Sequence, residues 1–268
     1  MNRPIGIFDS GIGGLTVLKE ILSELPLEST LYLGDTARVP YGIRSPETVT
    51  RYSFENTRFL FSKGIKMLVV ACNTVSSVSL EAIKGSVDVP VIGVIEPGAK
   101  AAVSATRNGK VGVIGTYATI KSSAYTRAIR GLDASVEVFG LPCPLFVPLV
   151  EEGWTDGPVV EMIAQRYLND IRGRGIDTLV LGCTHYPLLK SVLSKVMGDQ
   201  VRLIDSAIET AREIHRTLGQ SSLLRKATGS VKREFYVTDS PEKFLEVGER
   251  FLGRRIEFIK KIELGSEV

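Results

Sequence analysis

The sequence predicts an α/β protein built from two similar, doubly wound parallel-sheet domains, and three observations lead there. Residues 64–74 (GIKMLVVACNT) align without gaps on residues 175–185 (GIDTLVLGCTH), and residues 5–10 (IGIFDS) match residues 111–116 (VGVIGT) in the same order, as duplicated halves would. In each half, short runs rich in β-branched residues end at a small or polar residue, the pattern of parallel strands buried on both faces. Helix-period stripes separate these runs, which gives the βαβ alternation of a parallel sheet. A duplicated pair of domains implies a pseudo-twofold relation, with the functional cleft between the halves.

The elements follow in order. After the strand IGIFD, Leu15, Leu18, Ile21 and Leu22 form an apolar helical stripe that Pro26 closes. LYLGD (31–35) reads as a strand, 46–63 as a long helix with Pro46 near its start, and MLVVA (67–71) as a third strand. VPVIGVIEP (89–97) reads as a further buried strand that stops at Pro97 and Gly98. In the second half VGVIG, VEVFG, TLVLG and VRLID alternate with helical segments around 121–130, 158–172 and 187–197. A helix from Ala207 to Leu218, the strand REFYVT, a helix near 241–252 and IEFIKKI make a tail with no counterpart in the second half. The expected domains are therefore 1–97 plus 207–268, a discontinuous first unit closed by the tail, and 98–206. The Ser-, Gly- and base-rich stretch 219–231 is expected to be an exposed loop.

Composition excludes several classes. The chain has 268 residues, 44% hydrophobic and 24% charged, with a formal net charge of +3, so it buries a substantial core and carries no charge excess that would require nucleic acid. No apolar run reaches the ~18 residues of a membrane helix, and Asp9 interrupts any signal-peptide core. A cytoplasmic protein without membrane partners is expected. Three scattered cysteines suit thiols in a reducing compartment, and two histidines with no CxxC argue against structural zinc.

The repeat also locates candidate chemistry. Cys72 and Cys183 occupy equivalent strand ends, where the following helix N-termini point free N–H groups toward a ligand. Each precedes a polar pair, Asn73 with Thr74 and Thr184 with His185, able to donate hydrogen bonds to a carboxylate. A lone buried cysteine is ordinarily a small core hydrophobe, the reading kept for Cys143 between its prolines. Two at equivalent strand ends point instead to paired acid and base groups on opposite faces of one carbon, so that one removes a proton while the other delivers one and the centre inverts.

Other residues carry weaker signals. Asp9 and Ser10 end the first strand and suit an amino group, or Asp9 caps the helix. His185 stands two residues past Cys183, placed to assist proton transfer or to cap the next helix, whereas His215 sits in an amphipathic helix and covers a surface. Tyr41 and Gly42, in RVPYG, form a lid or a turn. DSGIGG has the look of a dinucleotide loop, but Thr16 takes the last glycine's place and Asp9 would repel a pyrophosphate. A two-lobed binding protein and a dinucleotide-dependent oxidoreductase stay open as alternatives.

FDSGIGGLTV, YLGDTARVPYG, ACNT, GVIGT with Thr119, and LGCTHYPLL, in that order along nearly the whole chain, resemble the cofactor-independent glutamate racemases of the aspartate/glutamate racemase group. The resemblance implies interconversion of L- and D-glutamate for peptidoglycan synthesis by a homodimer that needs no cofactor. It implies Cys72 as the proton carrier for the D-isomer and Cys183 for the L-isomer. Asp9, Ser10, Tyr41, Gly42, Asn73, Thr74, Thr184 and His185 would line the substrate, joined by Thr116 and Thr119, with Glu151 orienting His185. Asp9 would hold the substrate ammonium or accept the thiol's proton.

Overall fold

The computed structural model describes residues 2–226 and 229–265. Its strands are β1 (Ile5–Asp9), β2 (Thr30–Gly34), β3 (Met67–Val70), β4 (Val91–Gly93), β5 (Lys110–Gly115), β6 (Glu137–Pro142), β7 (Thr178–Gly182), β8 (Arg202–Asp205), β9 (Arg233–Val237) and β10 (Ile259–Lys261). They form two sheets, in the orders β10-β9-β2-β1-β3-β4 and β6-β5-β7-β8, and every pairing is parallel. The run β2-β1-β3-β4 in one sheet is thus repeated as β6-β5-β7-β8 in the other.

The repeat extends to register. Ile5 stands opposite Met67 in the first sheet and Val111 opposite Thr178 in the second, which are the residues the sequence alignment equates. In both sheets the chain order reverses direction between the two central strands, β1 and β3 or β5 and β7. Such switch points leave a crevice at the strands' C-terminal ends. Ser10 and Cys72 follow the first pair of strand ends, and Thr116 and Cys183 follow the second.

Burial follows from the layering. β1, β3 and β7 are buried at every residue, as expected for strands with helices on both faces, whereas the edge strands β6 and β10 are partly exposed. The helix Leu15–Glu24 buries Leu15, Leu18, Ile21 and Leu22 and ends just before Pro26. The helix Pro46–Ser62 starts with proline at its first turn, and the Ser45 hydroxyl accepts from the Thr48 N–H at 3.3 Å. Within the tail, β9 and β10 extend the first sheet beyond β2.

Several boundaries differ from expectation. The segment 89–97 is not one long strand: β4 spans three residues, and a helix begins at Ile95 and runs to Ala105. Pro97 and Gly98, expected to mark a domain boundary, lie inside that helix. Proline is tolerated there because first-turn N–H groups have no intrahelical acceptor. Gly98 permits close approach, since a Cβ there would lie 3.2 Å from Ser206 Cβ and 3.3 Å from the Tyr125 ring. The segment around 121–130 is two helices, Tyr117–Lys121 and Ala124–Leu132, broken at Ser123, whose φ is 55°. The helix after β8 continues to Gln220, and Leu223, Leu224 and Arg225 are only half exposed, so the stretch 219–231 is less open than expected. Ala227 and Thr228 of that stretch, like Met1 and residues 266–268 of the expected first domain, lie outside the described residues. Among the described residues no helix is long and apolar enough to cross a membrane.

Candidate active site

A cavity of about 340 Å³ opens where the two halves meet, and Cys72 and Cys183 both line it. β3 delivers Cys72 to the N-cap of the helix Asn73–Val78, and β7 delivers Cys183 to the turn before the 3-10 segment Tyr186–Leu189. The two sulfurs belong to different halves yet face a common space, and both are free thiols. Ser10, Tyr41, Gly42, Asn73, Thr74, Thr116, Glu151, Thr184 and His185 share the wall.

Two expected site residues stand behind the wall. Asp9 and Thr119 are both 1% exposed and do not line the cavity. Thr119 Oγ1 lies 3.1 Å from Thr116 Oγ1 and 3.5 Å from Thr74 Oγ1, so it supports two hydroxyls that do face the cavity. Asp9 Oδ2 accepts from the Gly11 N–H at 3.0 Å, while its Oδ1 is buried without a protein partner. Tyr41 forms neither a lid nor an exposed turn. It is buried in the 3-10 segment Tyr41–Ile43, and its hydroxyl donates to Asp35 rather than into the cavity.

The sulfurs have different electrostatic neighbours. Cys72 Sγ donates to Ser10 Oγ at 3.6 Å, and burial together with the Asp9 carboxylate pushes its thiol up to about 12. Burial also raises Asp9, against the charge of His185 and backbone hydrogen bonds that pull it down. On the other side, Cys183 Sγ lies 3.8 Å from His185 Nδ1, and His185 Nε2 lies 3.0 Å from Glu151 Oε1. Burial alone would lower the imidazole, but hydrogen bonds to Cys183 and Glu151 outweigh it and hold His185 up to about 10. Burial would likewise raise Glu151, and the hydrogen bond and charge of His185, with Lys243, bring it below its ordinary range instead.

The glycine-rich turn after β1 has a packing explanation. A Cβ on Gly13 would lie 2.2 Å from Thr184 Oγ1, and one on Gly14 would lie 2.5 Å from Asp9 Cβ. Gly13 therefore lets the two halves approach, and Gly14 lets the turn pack closely against Asp9, Tyr32 and Ala71 of its own half. Among the described residues no group of three or more His, Cys, Asp or Glu side chains could hold a metal ion.

The residues 9–214 match the family model described as Asp/Glu/Hydantoin racemase. The chain belongs to the Asp/Glu/hydantoin racemase family. Its relatives within this family include the glutamate racemase of Geobacter metallireducens, 55% identical over 99% of this chain and 98% of that protein. Among solved structures it is similar to the glutamate racemase isoform RacE1 of Bacillus anthracis, with a TM-score of 0.94 and 43% identity over 98% of each chain. The glutamate racemase of Francisella tularensis, solved in complex with D-glutamate, gives a TM-score of 0.93 and 39% identity over 99% of each chain. Racemases of this family are thus similar to this chain from end to end.

Part of the racemase cavity escaped the sequence. Pro144, Val147 and Pro148 form an apolar stretch of wall, carried by the turn after β6 and the short helix Phe146–Glu151 that ends in Glu151. The signal was present in the repeat: β6 aligns with β2 in register, so the turn after β6 occupies the place of the one that carries Tyr41. Cys143, kept as a core residue, is fully buried, and His215 is exposed and pairs with Glu24 at 2.7 Å.

Proposed function

We propose that this racemase interconverts L- and D-glutamate by two-base proton transfer, with Cys72 and Cys183 as the proton carriers. The observation that carries the mechanism is the shared cavity: one thiol from each half faces it, and no other cysteine does. The substrate is inferred from the relatives, which are glutamate racemases at 44–55% identity over the full chain.

The chemistry balances without an outside acceptor. A thiolate takes the proton from Cα on one face as the opposing thiol gives its own to the other face, so thiol and thiolate exchange places. Cys72 holds its proton tightly, and the His185 imidazolium faces the Cys183 sulfur. That asymmetry favours Cys183 as the base toward L-glutamate and Cys72 as the acid. In the reverse direction Cys72 must first lose its proton. Asp9, behind the wall and close enough for its charge to act on the Cys72 thiol, takes that proton, while the His185 imidazolium gives one to Cys183. Asn73, Thr74, Thr184 and Thr116 supply neutral donors for the two carboxylates, which hold the substrate without so much charge that product release suffers.

Incubating L-glutamate with the enzyme under reducing conditions and following its circular dichroism tests the activity, and persistent ellipticity would overturn it. Cys72→Ala and Cys183→Ala are each expected to lower racemisation by more than about 10³-fold while calorimetry still detects glutamate binding. A binding protein would lose nothing in either variant. Supply of D-glutamate for peptidoglycan, a cytoplasmic location and a homodimeric assembly extend the same proposal on the strength of the family resemblance. Sedimentation analysis of the purified protein checks the last of these.

A further inference from the structure

Asn73 is held asymmetrically at the cavity wall. Its side chain is buried at the cavity wall, with Nδ2 left without a protein partner. Its Oδ1 accepts from the Tyr125 hydroxyl at 2.8 Å. Tyr125 belongs to the other half of the molecule, on the helix Ala124–Leu132, and is 3% exposed. An amide has one acceptor end and one donor end. The end that faces the substrate is therefore decided by what holds the opposite end.

We propose that Tyr125 is a positioning residue: by donating across the domain junction to Asn73 Oδ1, it fixes the amide so that Nδ2 is the end offered to a substrate carboxylate. The phenol O–H has Asn73 Oδ1 as its acceptor, and Ser206, at the start of the helix Ser206–Gln220, stands with the Tyr125 ring beside Gly98. Gly98 keeps the arrangement close, since a Cβ there would crowd both Ser206 and the Tyr125 hydroxyl at 3.3 Å or less. Without this constraint the amide can turn over and present a carbonyl oxygen to the anion, which replaces a hydrogen bond with a repulsion.

The inference rests on the glutamate reading of the cavity, so wild-type racemisation is measured first and separately. If wild type leaves glutamate unchanged, the substrate assignment fails, whatever Tyr125 does. With an active wild type, Tyr125→Phe keeps the buried ring and removes only the O–H. Weakening of D-glutamate binding by about 10-fold or more, with kcat changed by less than about 3-fold and the thermal midpoint nearly unmoved, is the expected result. In an Asn73→Ala background the same Tyr125→Phe change is expected to have no further effect on the calorimetric Kd. A Kd in Tyr125→Phe equal to wild type, or a loss of the same size with and without the Asn73 amide, overturns the proposal. A fall in kcat and thermal midpoint together, with Kd preserved, assigns Tyr125 a purely structural part and overturns it as well.

Discussion

Glu151 Oε1 lies 3.0 Å from His185 Nε2, and this fixes the imidazole so that Nδ1 faces Cys183 Sγ at 3.8 Å. Phe251, from the tail, packs edge-on against the same ring, with centroids 5.2 Å apart. The carboxylate therefore sets the orientation of the imidazole and, together with Cys183, its charge. Glu151→Gln is expected to lower the His185 pKa from about 10 and to cut kcat by roughly 10- to 100-fold. NMR titration of the imidazole and steady-state kinetics read the two effects, and an unshifted titration would show that Glu151 does not govern the ring.

Gly13 is the point of closest approach between the glycine-rich turn and the second half. A methyl group there would meet Thr184 Oγ1 at 2.2 Å and His185 Nδ1 at 2.6 Å. Gly13→Ala is expected to displace His185 and lower kcat by about 100-fold while far-UV circular dichroism stays unchanged. Gly131, in the helix Ala124–Leu132, has open space where its Cβ would stand. Gly131→Ala serves as the control and is expected to be neutral or stabilising by up to about 1 kcal/mol.

Stability should fall toward alkaline pH, and the sign follows from proton counts. The His185 pKa is raised from 6.5 to about 10, so above 6.5 the native state holds a proton that the unfolded chain has released. Its stabilising contribution is complete below 6.5 and is lost as pH rises through about 10. Cys72, raised from 9.0 to about 12, acts in the same direction above 9.0. Denaturant midpoints measured between pH 6 and 10 should decline, and the decline should be shallower in His185→Asn. An equal slope in both proteins would rule out the histidine as its source.

Lys66 and Glu28 form a buried ion pair at 2.6 Å far from the cavity, with side chains 2% and 3% exposed. Lys66 Nζ also donates to the Leu223 carbonyl at 2.7 Å, and Glu28 Oε1 accepts from the Arg225 N–H at 2.8 Å. The pair thus ties the segment before β9 to the first sheet. Lys66→Met would leave Glu28 buried without its countercharge, and a loss of about 3–5 kcal/mol is expected from urea unfolding. The double change with Glu28→Gln should recover part of that loss.

The duplicated parallel-sheet plan and the placement of Cys72 and Cys183 at equivalent strand ends were both legible in the amino-acid sequence. Both are local properties: apolar runs dictate buried strands, and the matching of Gly64–Thr74 with Gly175–His185 transfers register from one half to the other. Which side chains face the shared cavity was set by long-range packing. It turned the Tyr41 hydroxyl toward Asp35, set Asp9 and Thr119 behind the wall, brought Pro144 and Val147 onto it, and joined Tyr125 to Asn73. Most of these outcomes depend on how two sheets and their covering helices pack across a junction. Asn73 and Tyr125, far apart in the sequence, meet there through the summed geometry of every intervening element, and no short stretch of sequence carries that sum.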